Sequence, residues 1–283
     1  RVSHPRTLHS RAAAAAALPP KVEPPRFVII KGETVTPIGV MMSLSVFLTA
    51  FLVQIPVFLA YLWSQLFDEK KRCRGVDWVI HFWAWASMRV CGYNPEVVGL
   101  ENLKDLDNVL VIPNHTSFLD ILTLTGFLPR PMKYVSKKEI LKIPLIGWPM
   151  RLARHIPLQT ESRRSQLETF KDTVKSLEDG NSVITFPEGG RSSDGRIMPF
   201  KRGPFKMALR SEAPIVPVSI CGLAQWYPKG SLMPLGVPKG VRVVIHPPIQ
   251  VAGSDLDEGE LCDRVYRIVN SALPDYQQGP VQP

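Results

Sequence analysis

The chain has 283 residues, of which 45% are hydrophobic and 21% charged, and its formal net charge is +9 at pH 7. This length is sufficient for one catalytic domain with an additional segment, and the positive charge favours anionic partners such as phospholipid surfaces or nucleotide-bearing molecules. The four cysteines show no paired spacing, which argues against a disulfide framework and a cysteine zinc site, and no basic stripe interleaved with aromatic residues indicates nucleic acid.

Residues 1–39 form the first predicted segment. The first twenty contain three arginines, two serines and the alanine run Ala12–Ala17 but no acidic residue, a composition typical of an organelle transit peptide. The alternative is an unstructured tail that ends at the prolines near residue 25. Both interpretations predict disorder, and composition separates plastid from mitochondrial targeting poorly.

Residues 40–90 are predicted to be a membrane-associated helical region. No charged residue lies between Glu33 and Asp68, and the apolar part, Met41 to Phe67, exceeds the roughly 20 residues that a helix needs to cross a bilayer. Gln54 and Pro56 interrupt it, so the segment is either one kinked span or two shorter helices within one leaflet.

A basic cluster and a tryptophan-rich stretch follow the apolar segment. The cluster comprises Lys70, Lys71, Arg72 and Arg74, and it suits an anionic lipid surface. The stretch Val76–Val90 contains three tryptophans, which favour the membrane interface and predict a helix on or partly in the bilayer. A buried amphipathic helix of the catalytic domain is the alternative.

Residues 91–275 alternate apolar, β-branched runs with amphipathic stretches and are predicted to form the catalytic domain. Strands are predicted at Val109–Ile112, Met132–Val135, Ile156–Leu158, Val183–Phe186, Ile215–Ile220 and Val241–Ile245. Helices are predicted at Ser165–Asp179 and Leu261–Leu273. This order predicts an α/β layer fold with a mainly parallel or mixed sheet, followed by a loose tail at residues 276–283.

The first chemical motif, Asn114–Asp120, follows the predicted strand that ends at Pro113. Thr116 or Ser117 is expected to cap a new helix. His115 and Asp120 are five positions apart, so a hydrogen bond between them requires His115 to lie in the turn before that helix. A histidine held in one tautomer by a carboxylate can remove a proton from a hydroxyl group without a serine or cysteine nucleophile.

The second motif, Phe186–Ser192, also follows a predicted strand, so the two loops are expected to share one cleft. A glycine pair lets backbone amides approach a ligand, and the guanidinium of Arg191 suits bidentate contact with phosphate. An anionic substrate is therefore expected. A metal site of His115, Asp120 and Glu188 is conceivable, but no HExxH motif or cysteine cluster supports one.

At these residues the chain resembles the glycerolipid acyltransferases, most closely the 1-acylglycerol-3-phosphate acyltransferases, whose signatures are NHxxxxD and FPEGxRS. Two weaker family blocks occur in the expected order, one from Lys138 to Leu158 and one at Ala213–Val218. The resemblance covers about residues 75 to 250, and two further stretches look like the plastid-type branch. It implies a layered sheet flanked by helices, with an N-terminal membrane-associated helical segment, and no cofactor or metal.

The resemblance also implies a role for each matching residue. His115 is the expected general base and Asp120 the residue that orients it, while backbone amides near Gly189 are expected to stabilise the oxyanion. The expected substrate-binding residues are Lys138, Glu188, Gly189, Gly190, Arg191 and Ser192.

The chain departs from the family pattern at two places. The usual threonine of the second signature is Gly190, which removes a hydroxyl group. An arginine usually found after the strand Ile156–Leu158 is absent, and Arg163 and Arg164, a few residues later, are the two candidates to replace it.

The expected reaction is acyl transfer from an acyl thioester of coenzyme A or acyl carrier protein to the sn-2 hydroxyl of lysophosphatidic acid, giving phosphatidic acid. Two alternatives stay open: transfer to glycerol 3-phosphate or another lysophospholipid, and a non-catalytic lipid-binding protein. Lipids of the membrane are the expected partners and nucleic acid is not. The expected location is the plastid envelope membrane, with the endoplasmic reticulum or a mitochondrial membrane as the alternative.

Overall fold

The computed structural model describes residues 28–30, 33–67, 72–159 and 162–280. The strands of this part of the chain are β1 (Val28–Ile30), β2 (Glu33–Val35), β3 (Glu96–Val98), β4 (Leu110–Pro113), β5 (Lys133–Lys137), β6 (Ile156–Leu158), β7 (Val183–Ile184), β8 (Ile215–Cys221) and β9 (Arg242–Ile245). The helices are α1 (Pro37–Leu52), α2 (Gln54–Leu66), α3 (Arg74–Val90), α4 (Leu119–Phe127), α5 (Gly147–Leu152), α6 (Arg163–Glu178), α7 (Gly203–Ser211) and α8 (Glu258–Ser271), with short 3-10 turns at Leu100–Leu103 and Ile140–Lys142.

A seven-stranded sheet, in the order β3-β9-β8-β4-β7-β5-β6, carries the fold. Its strand pairs are parallel except for β8 and β9. The prediction of an α/β layer fold with a mixed sheet is therefore confirmed. The short β1 and β2 form a separate antiparallel pair.

Two hydrophobic cores lie on opposite faces of this sheet. Along β4, Leu110 and Ile112 pack with residues of α6, α7 and α8, whereas Val111 packs with residues of α3 and α4. Successive side chains of a strand point to opposite faces, and because helices cover both faces, all four residues of β4 are buried. This explains why the central strands appear in the sequence as uninterrupted apolar runs.

The apolar segment forms the two helices α1 and α2, which meet at Val53. Pro56 lies in the first turn of α2 and has no N–H group to donate to Leu52, which accounts for the interruption. Together, Pro37–Leu66 is the one stretch of the described residues long and apolar enough to cross a membrane. Many of its large hydrophobic side chains are exposed, among them Met41, Leu44, Phe47, Leu48, Phe51, Ile55, Leu59, Trp63 and Leu66.

Helix α3 has one buried and one exposed side. Ala84 packs against α4 where Gly126 allows close backbone approach, since a Cβ atom at Gly126 would lie 2.6 Å from the backbone nitrogen of Trp85. Trp78 and Phe82 are exposed on the other side, at 50% and 63%. One side of this helix is therefore packed into the domain, while the other leaves large apolar side chains exposed.

A buried ammonium group joins helix α3 and the end of α5 to the sheet. Lys133 of β5 is 2% exposed, and its Nζ atom donates to Asp77 Oδ2 of α3 at 2.5 Å. It also donates to the backbone carbonyls of Arg72 and Ala153, at 2.5 and 2.6 Å. A buried charge is tolerated when its donors are paired in this way, so the contact links α3, the end of α5 and the sheet.

The termini differ from their predictions. Residues 28–30 and 33–39 belong to β1, β2 and the start of α1, so the predicted disorder of 1–39 is wrong for them, while 1–27 and 31–32 lie outside the described residues. The predicted loose tail is wrong for 276–280, because Gln277 is fully buried and accepts a hydrogen bond from Gly222 N at 2.7 Å. Residues 281–283 lie outside the described residues.

The structure also changes the interpretation of the basic cluster. Arg72 donates from Nε to the carbonyl of Asp179 at 2.7 Å and so binds the C-terminal end of α6, while Arg74 is exposed. Arg72 is thus a structural residue and not a free lipid-binding one. Lys70 and Lys71 lie outside the described residues.

We expect Lys133→Met to lower the free energy of unfolding by about 3–5 kcal/mol, because the substitution removes the cation that faces the buried Asp77. Denaturant unfolding of the full chain in detergent micelles measures this. Lys206→Met is the matched control, since the Lys206–Glu258 pair lies at the surface and its loss should change the free energy of unfolding far less. The double variant Lys133→Met/Asp77→Leu should recover part of the loss. Equal effects of Lys133→Met and Lys206→Met would contradict this interpretation.

Candidate active site

The two sequence motifs meet at one edge of the sheet. The loop with His115 follows β4, and the loop Phe186–Ser192 follows β7, which is the parallel neighbour of β4. Parallel neighbours end on the same edge, so the two loops come together, and His115 and Arg191 line one cavity. The expectation of a shared cleft is confirmed.

His115 and Asp120 form a hydrogen-bonded pair. Nδ1 of His115 lies 3.0 Å from Oδ2 of Asp120, which is fully buried. The same oxygen accepts hydrogen bonds from the backbone N–H groups of Thr116 and Ser117, each at 2.8 Å. Asp120 therefore holds both the loop and the ring. Because Nδ1 faces the carboxylate, Nε2 is the nitrogen left to exchange a proton with a ligand.

The loop reaches helix α4 without the predicted side-chain cap. The residue before α4 is Phe118, and neither Thr116 nor Ser117 occupies this position. Ser117 Oγ still accepts from Leu119 N at 3.3 Å, and the carboxylate of Asp120 in the first turn binds the preceding amides. The acidic side chain thus replaces the expected cap at the helix N-terminus.

Asn114 anchors the start of the loop, a role that the sequence analysis did not assign. Its side chain donates to the carbonyl of Ile220 at 3.1 Å and accepts from the N–H of the same residue at 2.7 Å. This pair of hydrogen bonds fixes the loop to β8. An asparagine directly after a buried strand was the available signal for it.

Glu188 supports the loops from behind. Oε1 accepts from the N–H of His115 at 2.6 Å, and Oε2 accepts from the N–H of Met198 at 2.9 Å. Burial raises the pKa of Glu188 to about 8, although these two hydrogen bonds oppose the shift. The cavity lining does not include Glu188, so the structure places it behind the site and not against a substrate.

The second loop turns at a glycine whose positive φ angle favours this residue type. Gly189 has φ +75°, and its N–H donates to the carbonyl of Phe186 at 3.1 Å. That amide is therefore used within the loop and is not free for the oxyanion role expected of it. Gly190 and Arg191 line the cavity, and a Cβ atom at Gly190 would meet nothing within 4 Å. The glycine in place of threonine thus leaves open space.

Arg191 and its surroundings supply the positive charge. The guanidinium carbon lies 5.9 Å from the centre of the Phe118 ring, within the range of a cation–π contact. Ser192 is 2% exposed and donates from its N–H to the carbonyl of His115 at 3.4 Å, so it joins the two loops and does not line the cavity.

The cationic residues predicted for the site outside this loop do not line the cavity. Lys138 and its neighbour Lys137, at the end of β5, are both exposed, but of the two only Lys137 lines the cavity. Arg163 and Arg164 are both exposed at the start of α6, where Arg164 pairs with Glu168. Neither contributes to the cavity lining, so the cavity gives no support to a replacement of the missing family arginine by either residue.

The cavity has a volume of about 670 Å³ and mainly apolar walls. One wall comes from the outer helices, with Met42, Val46, Phe47, Ala50, Val53, Ile80 and Trp83. A further part of the wall comes from β5 and the segment around α5, including Tyr134, Ile140, Leu145, Ile146 and Met150. The ring of Phe186 stacks on His115 at 4.0 Å between centroids. The arrangement suits a ligand with a long apolar part and an anionic end beside His115.

His155 is a further cavity residue that the sequence analysis missed. Its Nδ1 accepts from the N–H of Tyr134 at 3.0 Å, and burial together with the charge of Lys133 lowers its pKa to about 3. The ring is therefore neutral, with its proton on Nε2. In the part of the chain that the structure describes, no group of three or more His, Cys, Asp or Glu side chains could hold a metal ion.

Comparison with known proteins gives three kinds of similarity. The family model described as acyltransferase matches residues 94–221. A 1-acyl-sn-glycerol-3-phosphate acyltransferase of Chlamydomonas reinhardtii is 35% identical over 83% of this chain and 67% of its own length. The crystal structure of the 1-acyl-sn-glycerophosphate (LPA) acyltransferase of Thermotoga maritima superimposes with a TM-score of 0.68 and 26% identity, covering 82% of this chain and 92% of that one.

Plant relatives are similar over a shorter part. The chloroplastic 1-acyl-sn-glycerol-3-phosphate acyltransferase of Brassica napus is 41% identical over 65% of this chain, and that of Arabidopsis thaliana is 40% identical over 62%. The matched parts amount to 53% and 50% of these two relatives, so the chain spans about half of their length.

We expect the stabilising contribution of Glu188 to fall as the pH rises from about 4.5 to about 8. The folded chain holds the Glu188 proton up to about pH 8, whereas the unfolded chain releases it near the ordinary value of 4.5, so protonation stabilises the fold fully below that value. The difference in unfolding free energy between the intact protein and Glu188→Gln should therefore shrink over this range. Thermal unfolding from pH 5 to 8.5 measures it, and Glu168→Gln, at an exposed carboxylate of α6, is the control. A difference that grows with pH would contradict the expectation.

Proposed function

The chain belongs to the acyltransferase family, in the group that includes the chloroplastic 1-acyl-sn-glycerol-3-phosphate acyltransferases, and we propose that it converts lysophosphatidic acid to phosphatidic acid. The acyl donor is a thioester of coenzyme A or acyl carrier protein. The observation that carries this proposal is the His115–Asp120 pair beside Arg191 in the wall of an apolar cavity. The names of the relatives support it.

The reaction begins with proton transfer to His115. Nε2 takes the proton of the sn-2 hydroxyl while its oxygen attacks the thioester carbon, and the Asp120 carboxylate stabilises the imidazolium that forms. The tetrahedral intermediate then collapses as the carbon–sulfur bond breaks. Thiols have pKa values near ~8.5, far below those of alcohols, so the sulfur leaves without a strong acid, and the imidazolium supplies its proton.

The negative oxygen of the intermediate requires donors. Gly189 N–H is bonded within its loop, so we assign this role to the N–H groups of Gly190 and Arg191, for which the described residues offer no acceptor. Removal of a single oxyanion donor typically costs about 10²–10³ in rate.

The phosphate of the acceptor is assigned to Arg191 and Lys137. Both line the cavity with His115, and guanidinium and ammonium groups are the common partners of phosphate in proteins. Lys137 takes the place that the sequence analysis gave to Lys138. The apolar walls then hold acyl chains.

The proposed location is a plastid membrane. The chloroplastic relatives support the plastid, and the exposed apolar face of α1 and α2 supports attachment to a bilayer. Attachment suits this reaction because the acceptor and the product are both lipids.

We expect His115→Ala and Asp120→Asn to lower kcat by about 10²–10⁴, because the first removes the base and the second the carboxylate that orients it. The assay follows transfer from labelled acyl-coenzyme A and acyl carrier protein to lysophosphatidic acid, glycerol 3-phosphate and lysophosphatidylcholine in parallel. His246→Gln, at a histidine bonded to Ser219 away from the cavity, is the control. Transfer only to another acceptor would keep the reaction but change the assigned substrate. Lipid binding without His115-dependent transfer would refute the proposal that the protein is an enzyme.

We expect Lys137→Ala to raise KM for lysophosphatidic acid about tenfold or more, the value of one charge-assisted contact, with a smaller effect on KM for the donor. Lys138→Ala is the matched control, since the adjacent side chain is exposed outside the cavity and should leave both constants nearly unchanged. A larger increase of KM for lysophosphatidic acid in Lys138→Ala than in Lys137→Ala would assign phosphate binding to Lys138.

A further inference from the structure

A second cavity, of about 500 Å³, lies at the opposite edge of the sheet from the catalytic loops. Its lining comprises Leu100, Glu101, Leu103, Lys104, Pro129 and Arg130. Lys104 precedes β4 and Arg130 precedes β5, whereas the catalytic loops follow the carboxyl ends of β4 and β7. The two cavities share no lining residue.

The guanidinium of Arg130 is held in place but incompletely bonded. Nη1 donates to the carbonyl of Leu106. Nε and Nη2 are buried and have no acceptor in the part of the chain that the structure describes. Buried polar groups are normally paired, and a guanidinium with two free donors on adjacent nitrogens matches the oxygens of an oxyanion.

The charges around Arg130 are mixed. Burial lowers the pKa of Arg130, the charge of Asp107 raises it, and the charge of Arg74 lowers it again. Lys104 adds a second cation to the cavity and Glu101 a carboxylate. Asp107 and Glu101 are therefore the protein groups that compete with any bound anion, yet neither bonds to Nε or Nη2.

We propose that Arg130 and Lys104 bind a phosphate group in this second cavity. Arginine offers a rigid pair of donors and lysine a point charge, the combination common in phosphate sites. A phosphate at this position comes from a lipid headgroup or from a free phosphate compound. The site uses no catalytic residue, so its test does not depend on acyl transfer.

The first arm measures binding of inorganic phosphate to the full chain in neutral detergent micelles by calorimetry. Arg191→Ala serves as the background, so that phosphate at the catalytic edge does not contribute. Adding Arg130→Gln should weaken binding about tenfold or more, as expected for loss of charge-assisted hydrogen bonds. Adding Arg164→Gln, at a guanidinium whose side chain is 91% exposed, should leave it unchanged.

The second arm separates the two sources of phosphate. Flotation with phosphatidylcholine vesicles, with and without phosphatidic acid, compares Arg130→Gln with Arg164→Gln. A selective loss of phosphatidic acid-dependent binding in Arg130→Gln identifies the lipid headgroup. Loss of inorganic phosphate binding with unchanged flotation identifies a free phosphate compound. Both results support the site.

Two further measurements keep the test decisive. Circular dichroism and thermal unfolding establish that Arg130→Gln folds, and Arg130→Lys retains the charge with fewer donors, so its affinity should fall between the other two. If Arg130→Gln and Arg164→Gln behave alike in both arms, the proposal is overturned. Arg130 is then a structural cation balanced by Asp107 and Glu101 alone.

Discussion

The ammonium group of Lys133 is the contact on which the cavity depends. A buried ammonium loses several kcal/mol of hydration, and this loss is offset only when oxygen atoms surround it. Here the oxygens come from α3, from the turn before it and from the end of α5. These segments and β5 together carry much of the cavity wall. If α3 moved away from the sheet, the ammonium group of Lys133 would stay buried without hydrogen-bond acceptors. This one contact therefore favours a single arrangement of α3 and α5 on the sheet.

Polar residues of the two motifs divide into supporting and reacting groups. Asn114, Asp120 and Glu188 each direct their side chains to backbone amides or carbonyls, and each holds one part of the two loops. His115 and Arg191 are left facing the cavity. The motif therefore contains more supporting than reacting residues. Because the supports are buried and bonded, the base is positioned before a ligand arrives, which limits the entropy lost on binding.

Much of the fold was predictable because its signals are local. The strands β4, β7 and β8 appear as apolar runs, α6 and α8 as amphipathic periods, and the two loops as motifs after parallel strands. Contacts between distant residues were not predictable. Lys133 and Asp77 are 56 positions apart, and a lysine in an apolar strand carries no sign of its partner.

The same limit applied within the site. Lys137 and Lys138 are adjacent, and only the end point of β5 decides which one faces the cavity. Glu188 was expected to touch a substrate because it belongs to the second family signature, but its two backbone hydrogen bonds direct it inward. The buried Gln277 had no sequence signal at all, since a polar residue near the end of a chain is most often solvated.

Helix α1 is at once part of the outer apolar surface and an inner wall of the cavity. In the proposed function the acceptor then passes from the lipid phase to His115 along this helix, without crossing water. Its effective concentration is its mole fraction in the bilayer and not its amount per volume. Diluting the acceptor with inert lipid would slow the reaction at constant total concentration, so membrane composition itself sets the rate of synthesis.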